Sequence, residues 1–235
     1  MRTLLLASTW RAGLRASLLA VATLAVFTSS GSALTITLRS GNAPTGNPDP
    51  LITFLPGPIQ CGQGFAAPFT AADFAAAVGG PNANVIVPYG VWGASLACDP
   101  LAKWIAPNPT LAPQSALFAY PFIVPAPCCI HNAKLNLCWI VDDWLGDLDS
   151  YPNPMGVYVN GVAYPISGGN HSTDTQVLVD ITASLHCGQN VLYIYNRDAA
   201  CVVSGLIFSA TIDVQECDPT STQTHSWGRI KSLYR

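Results

Sequence analysis

The chain predicts an all-β fold, a β-sandwich of about eight strands with little helix, on three observations. Charged residues are only 10% of the 235, with a single Glu (Glu216) and three Lys, so the residues that normally cover helix surfaces are scarce. Short runs of alternating apolar and polar residues recur, which is the two-residue period of half-buried strands. Gly and Pro, 19 of each, cluster between those runs as turn signals.

Taken in order, Leu34 to Leu38 (LTITL) is the expected first strand, followed by a turn-rich loop from Ser40 to Pro50. Leu51 to Leu55 reads as a short extended segment ended by Pro-Gly-Pro. Residues 69–79 are the one expected helix, with Thr70 as N-cap and Gly79 as stop, placed at a sheet edge. Val85 to Val87, Tyr89 to Trp92 and Ala102 to Ile105 read as short strands. Ala116 to Val124 is another, with Pro121 marking an edge or a bulge. From Ala133 the pattern sharpens: Ala133, Leu135, Leu137, Trp139 and Val141 share one face of a strand. Val157 to Val159, Val177 to Ile181, Leu192 with Ile194, and Leu206 to Ile212 repeat it. Tyr193 and Tyr195 lie opposite to Leu192 and Ile194, so one of those two sets is expected to face outward. Asn160-Gly161 marks a hairpin, because both residues tolerate positive φ, and Gly188 suits a left-handed position after one helical turn at residues 182–186.

The first 33 residues read as a secretory signal peptide. Arg2, Arg11 and Arg15 make a basic region, Leu18 to Phe27 an apolar run, and Gly31-Ser32-Ala33 a small-residue cleavage site. A membrane anchor is the competing reading, but a span needs about 20 apolar residues. Residues 34–217 form the expected sandwich domain. Residues 218–235 are a polar linker ending in Trp227-Gly228-Arg229-Ile230-Lys231-Ser232-Leu233-Tyr234-Arg235, either a plain terminal segment or a signal read by export and sorting machinery. Between residues 34 and 218 stand 13 acids against four bases (Arg39, Lys103, Lys134, Arg197), which excludes a nucleic-acid partner.

All eight cysteines follow the leader, and an even count in an exported chain reads as disulfides. Eight cysteines allow 105 pairings; the expected ones are Cys187 with Cys201, which bracket a strand, and Cys61 with Cys98. A metal site from Cys128, Cys129, His131 and Cys138 is the alternative, but adjacent cysteines are not the knuckle spacing that suits zinc.

Several segments, in this order, resemble a known family. They are Trp104-Ile105, Trp139 to Asp143, Val157-Tyr158-Val159-Asn160-Gly161, Asp180-Ile181-Thr182 with Leu185, Gly188 and Asn190-Val191-Leu192, and Gly205-Leu206. Their sequence is similar to the galactose-binding-domain-like jelly rolls of exported bacterial proteins, over about residues 85–214. The resemblance implies a jelly-roll sandwich that binds ligands, often carbohydrate, without catalysis. The eight cysteines and the Asp-rich insertion at 147–150 depart from it.

Asp142, Asp143, Asp147 and Asp149 are the densest polar group, and a structural calcium is weighed there against a solvated loop. Asp142 and Asp143 are neighbours on a strand, so they are expected to point to opposite faces and not to form a glycosidase pair. Trp144, Tyr151, Tyr164 and Asn170 fall in expected loops and are the candidate ligand-binding residues, with rings to stack on a sugar and an amide for its hydroxyls. The sequence therefore points to a secreted or cell-surface, non-catalytic module that binds carbohydrate or another surface ligand. A structural or adhesive role through protein contacts is the alternative, and a hydrolase a more distant one.

Overall fold

The computed structural model describes residues 33–59, 62–126, 128–148 and 151–217. The expected leader up to residue 32, the tail 218–235, Cys61 and Asp149 lie outside them. The strands are β1 (Ala33–Arg39), β2 (Pro48–Pro56), β3 (Asn82–Val85), β4 (Ile105–Ala106), β5 (Ala116–Val124), β6 (Ile130–Asp142), β7 (Trp144–Leu145), β8 (Val157–Val159), β9 (Val162–Tyr164), β10 (Thr175–Asp180), β11 (Gly188–Arg197) and β12 (Gly205–Glu216). Among the described residues one α-helix, α1 (Ala71–Val78), and one 3-10 turn, Thr182–Ser184, join them. There are twelve strands where about eight were expected. Part of the excess comes from short pairings of two or three residues, β7 and β9, whose alternation is too brief to read.

Hydrogen bonding runs β10-β6-β12-β4-β3-β2-β5-β11-β8-β9, with β1 on β12 and β7 on β11. The long strands make two sheets, β10-β6-β12-β1 and β2-β5-β11-β8-β9. The short β4 and β3 carry the ladder from one to the other. The result is an antiparallel sandwich, nearly closed along one side. Pro121 fits inside β5 because β2 pairs only with Ala116 to Ala119, so β5 has a free side where the proline stands. Val85 starts a strand-to-coil exit, and Tyr89 to Trp92 form a turn, not the expected strand.

Alternation decides the layers. Leu135, Leu137, Val141, Ala210 and Ile212 from the first sheet meet Phe118, Val157, Leu192 and Ile194 from the second in the main core. The outer faces are not simply solvated. Ile86, Trp92, Leu96, Trp104, Ile140 and Ile207 form a second cluster, where the 86–104 coil lies on the first sheet. Leu117, Tyr158, Tyr193 and Tyr195 form a third, covered by Phe65, Phe69 and Phe74. Tyr193 and Tyr195 are therefore buried as fully as Leu192 and Ile194, because both faces of β11 are covered. The helix lies on this outer face and not at a sheet edge. Thr70 and Asp73 close a capping box at its start, and Gly79 ends it.

The observed disulfides differ from the expected pairings. Cys98 joins Cys138, Cys128 joins Cys187, and Cys129 joins Cys217. Cys201 is also disulfide-bonded. Neither Cys187 with Cys201 nor Cys61 with Cys98 forms. Bracketing a strand in sequence puts two cysteines at its opposite ends, whereas a disulfide needs Cα atoms within about 7 Å. Cys128 and Cys129 stand where the chain crosses from β5 in one sheet to β6 in the other. Their bonds reach the start of β11, which pairs with β5, and the end of β12, which pairs with β6, so each clamps two neighbouring strands of its own sheet where the chain crosses over. The bonded state also removes the cysteine metal site as an alternative.

A non-reducing peptide map is expected to recover the three linked pairs; a Cys187–Cys201 peptide would contradict this topology. Replacing Cys98 and Cys138 together by Ser opens a 40-residue separation. The expected loss is about 2–4 kcal/mol in denaturant unfolding.

Candidate functional site

The acid-rich loop after β6 is the place to begin, and the structure divides its carboxylates. Asp147 is buried and carries an ion pair with Arg197 (Oδ1 to Nε, 3.1 Å), the two side chains being 0% and 1% exposed. Tyr195 donates its hydroxyl to the same oxygen at 2.9 Å, and the Asn153 amide donates to Oδ2 at 2.9 Å. Arg197 also donates to the carbonyls of Asp198 and Gly62. Both Asp147 oxygens are thus engaged by protein donors. Burial and the Asp147 charge push the hydroxyls of Tyr158 and Tyr195 far up.

Asp143 accepts from the Ala199 and Ala200 amides at 2.6 and 2.5 Å, holding the turn after β11. Asp142 accepts from the Trp92 indole at 2.7 Å. Burial, with the hydrogen bond and charge of Asp143, raises Asp142 to about 7. Asp198 is also raised, first by burial and then by the Asp143 charge. Contrary to the expected alternation, the Asp142 and Asp143 side chains meet. β6 ends at Asp142, so the strand period no longer governs the next residue. Asp142, Asp143 and Asp147 hold no common point for a cation. Among the described residues, the only three-ligand convergence is Cys98, Cys138 and Asp174, whose cysteines are bonded to each other.

The four candidate binding residues meet different fates. Tyr164 is not in a loop: it ends β9, is buried, and its hydroxyl contacts the Ser184 hydroxyl. Trp144 forms β7 opposite Arg197 and is half-buried, with its indole nitrogen enclosed and without a hydrogen-bond partner. Tyr151 lies under the Arg197 guanidinium, 4.4 Å from ring centre to carbon, a cation–π contact. Asn170 is exposed, but its side-chain oxygen accepts from Ser172 and Thr173 in a local turn. Trp144, Tyr151 and Asn170 sit at one end of the sandwich, each turned to internal contacts.

Sequence reasoning missed a groove on the outer face of the second sheet. It has a volume of about 540 Å³ and is lined by Phe69, Ala71, Phe74, Ala75, Asn160, Gly161 and Tyr193. The rings of Phe74 and Tyr193 are 4.7 Å apart and those of Phe69 and Phe74 5.9 Å apart. Asn160 (φ 52°) and Gly161 (φ 81°) make the expected hairpin turn, and Gly161 packs against the Phe74 ring. The Asn160 amide is used internally, toward Ser184, Asn190 and Val191. The groove is therefore aromatic, with Tyr193 bringing the one side-chain hydroxyl. The signal in sequence was Phe65, Phe69 and Phe74 at spacings of four and five, on a segment too rich in Gly and Ala to read as more than a helix.

The acid loop builds this groove. Asn153, held by Asp147, donates to the Ala67 carbonyl and accepts from the Phe69 amide at 2.9 Å each. Gly64 packs so closely on Asp147, Tyr195 and Arg197 that a Cβ there would come within 2.7–2.9 Å of all three.

Three outcomes are expected. Asp147→Ala leaves a buried guanidinium without its counterion and costs about 3–5 kcal/mol, while Gly64→Ala costs about 1–3 kcal/mol by overpacking. Asp142 holds its proton more tightly folded than unfolded, so its contribution is full below pH ~4 and is lost as pH rises toward 7. Asp142→Asn is therefore expected to flatten the melting curve against pH and to exceed the parent by on the order of 1–3 kcal/mol at pH 8. Parallel pH profiles for the two proteins would refute it.

No protein-family model matches the chain, and no curated protein matches it. Solved structures to which it is similar include a family 35 carbohydrate binding module from Clostridium thermocellum, at 12% identity and TM-score 0.28 over 51% of this chain and 82% of that one. Another is isomalto-dextranase of Arthrobacter globiformis T6 complexed with panose, at 11% identity and TM-score 0.30 over 78% of this chain and 33% of that one.

Proposed function

We propose that this is a secreted, non-catalytic module that binds carbohydrate through the aromatic groove of Phe69, Phe74 and Tyr193. The groove itself carries the reading. Its volume falls within the range of about 300–1,000 Å³ common to ligand sites. Sugar C–H faces stack on such rings, and a hydroxyl at the edge fixes orientation. The walls are held by the capped helix, the Asn160-Gly161 turn and the Asn153 bridge, so little ordering is left to binding. The disulfides fit an oxidising compartment. Among the described residues no helix is long and apolar enough to cross a membrane. Asp142 is engaged by the Trp92 indole and Asp143 by the Ala199 and Ala200 amides, so the two do not stand as a free carboxyl pair facing one glycosidic bond.

A protein-contact role has one observation behind it. Val87, Tyr89 and Val91 expose an apolar loop tip on the other face, at 68%, 45% and 64%. A glycan array separates the two. The wild type is expected to give oligosaccharide signals that Phe74→Ala weakens about tenfold or more and Trp144→Ala does not. A blank array, with self-association abolished by Val91→Ser, would favour protein contacts instead.

A further inference from the structure

We propose a second ligand site, a pocket for one neutral, hydroxyl-rich ring, on the outer face of the first sheet. Register places its floor. Asn136 stands opposite Thr211, and Cys138 lies between Ser209 on one side and Gln176 on the other. All five point away from the core, since their strand neighbours Leu137 and Ala210 are in it. The Cys98–Cys138 disulfide brings the 86–104 coil down as a wall. Between them is a recess of about 160 Å³ lined by Cys98, Asn136, Cys138, Gln176, Ser209 and Thr211. At ~30 Å³ per water this holds about five waters, the bulk of one small ring and not of a chain of rings.

The polar groups define the ligand. Gln176 donates its amide to the Asn136 carbonyl at 2.9 Å. That leaves the Asn136 amide N–H groups, the Gln176 carbonyl and the Thr211 hydroxyl without a protein partner among the described residues. Donors and acceptors side by side match neighbouring hydroxyls, each of which gives one hydrogen bond and takes another. Ser209 is held differently, donating to Asp99 at 2.8 Å. The same Asp99 oxygen accepts from Arg39 at 2.9 Å, so that charge pair is internally balanced. Asp174 stands beside the disulfide, 4.0 Å from the Cys138 sulfur, with its carboxylate on the Ala97 amide. A carboxylate near the recess and no free cation in its lining disfavour phosphate, sulfate and uronic acids.

This site is independent of the aromatic groove, which lies on the outer face of the opposite sheet with the whole core between. The test is saturation-transfer NMR with glucose, xylose, mannose and N-acetylglucosamine, and glucuronate as the charged control. The wild type is expected to bind at least one neutral sugar, and to bind glucuronate more weakly than glucose. Asn136→Ala combined with Thr211→Val should weaken that binding about tenfold or more without lowering the melting temperature, both positions being partly exposed. Phe74→Ala, on the far face, should retain it. Saturation by no neutral monosaccharide would overturn the proposal. So would loss in Phe74→Ala with retention in the double variant, which would place all binding in the groove. A blank oligosaccharide array with monosaccharide binding intact would remove the groove reading and leave this pocket standing.

Discussion

Everything on the outer side of the second sheet depends on one buried ion pair. A guanidinium and a carboxylate with almost no exposure are costly to desolvate, and the cost is offset only when every remaining donor and acceptor is met. Here it is met. Asp147 takes Arg197, Tyr195 and the Asn153 amide; Arg197 gives to Gly62 and Asp198 and lies over Tyr151. Four segments are thereby fixed to one point: β11, the 145–156 loop, the turn after Arg197 and the coil from Gly62. The coil is the consequential one, because it has no ladder of its own.

From that point the chain runs to Phe65, Phe69 and the capped start of α1. Phe65 and Phe69 pack edge-on against Tyr195, and Phe69 against Tyr158. Phe74 then reaches Tyr193. A polar centre of high directionality thus sets the position of an aromatic layer that has little directionality itself. The first sheet is covered by a different device. Trp92 stacks on Trp104 at 4.3 Å, and Trp92 is oriented by Asp142, so again a carboxylate at the strand end aims a ring. The two covers leave uncovered different parts of their sheets, and those gaps are the groove and the polar recess.

Much of the scaffold was legible because period two survives in long strands. Leu135 to Val141, Leu206 to Ile212 and the Asn160-Gly161 turn lie where alternation and turn chemistry put them. The helix boundaries were legible from Thr70 and Gly79. What failed was anything set by distance in space. The sequence offers no means of matching Cys128 with Cys187 across 59 residues, or Arg197 with Asp147 across 50. One of the two sets, Tyr193 with Tyr195 or Leu192 with Ile194, was expected to face outward because alternation reports two faces but not whether a cover lies over each. Tyr164 looked exposed because β9 is three residues long, too short to show a period. Clustered acids read alike whether they bind a cation, cap amides or hold a buried arginine.

That last ambiguity decides how the acid-rich loop is to be read. A loop with four acids, a tryptophan and a tyrosine has the composition of a binding site, yet Asp143, Asp147 and Tyr151 are engaged by their own chain. Asp143 is used on two amides, Asp147 on three donors and Tyr151 on a guanidinium. A ligand there would have to break hydrogen bonds whose loss leaves buried charge, a cost of several kcal/mol before any gain. The half-buried rings of Phe69 and Phe74 in the groove and the amides of Asn136 and Gln176 in the recess face water and need only give up solvent. The polar end of the sandwich therefore acts as a fixed frame, and the proposed sites lie on the outer faces of its sheets, where the amides of the recess are not already matched.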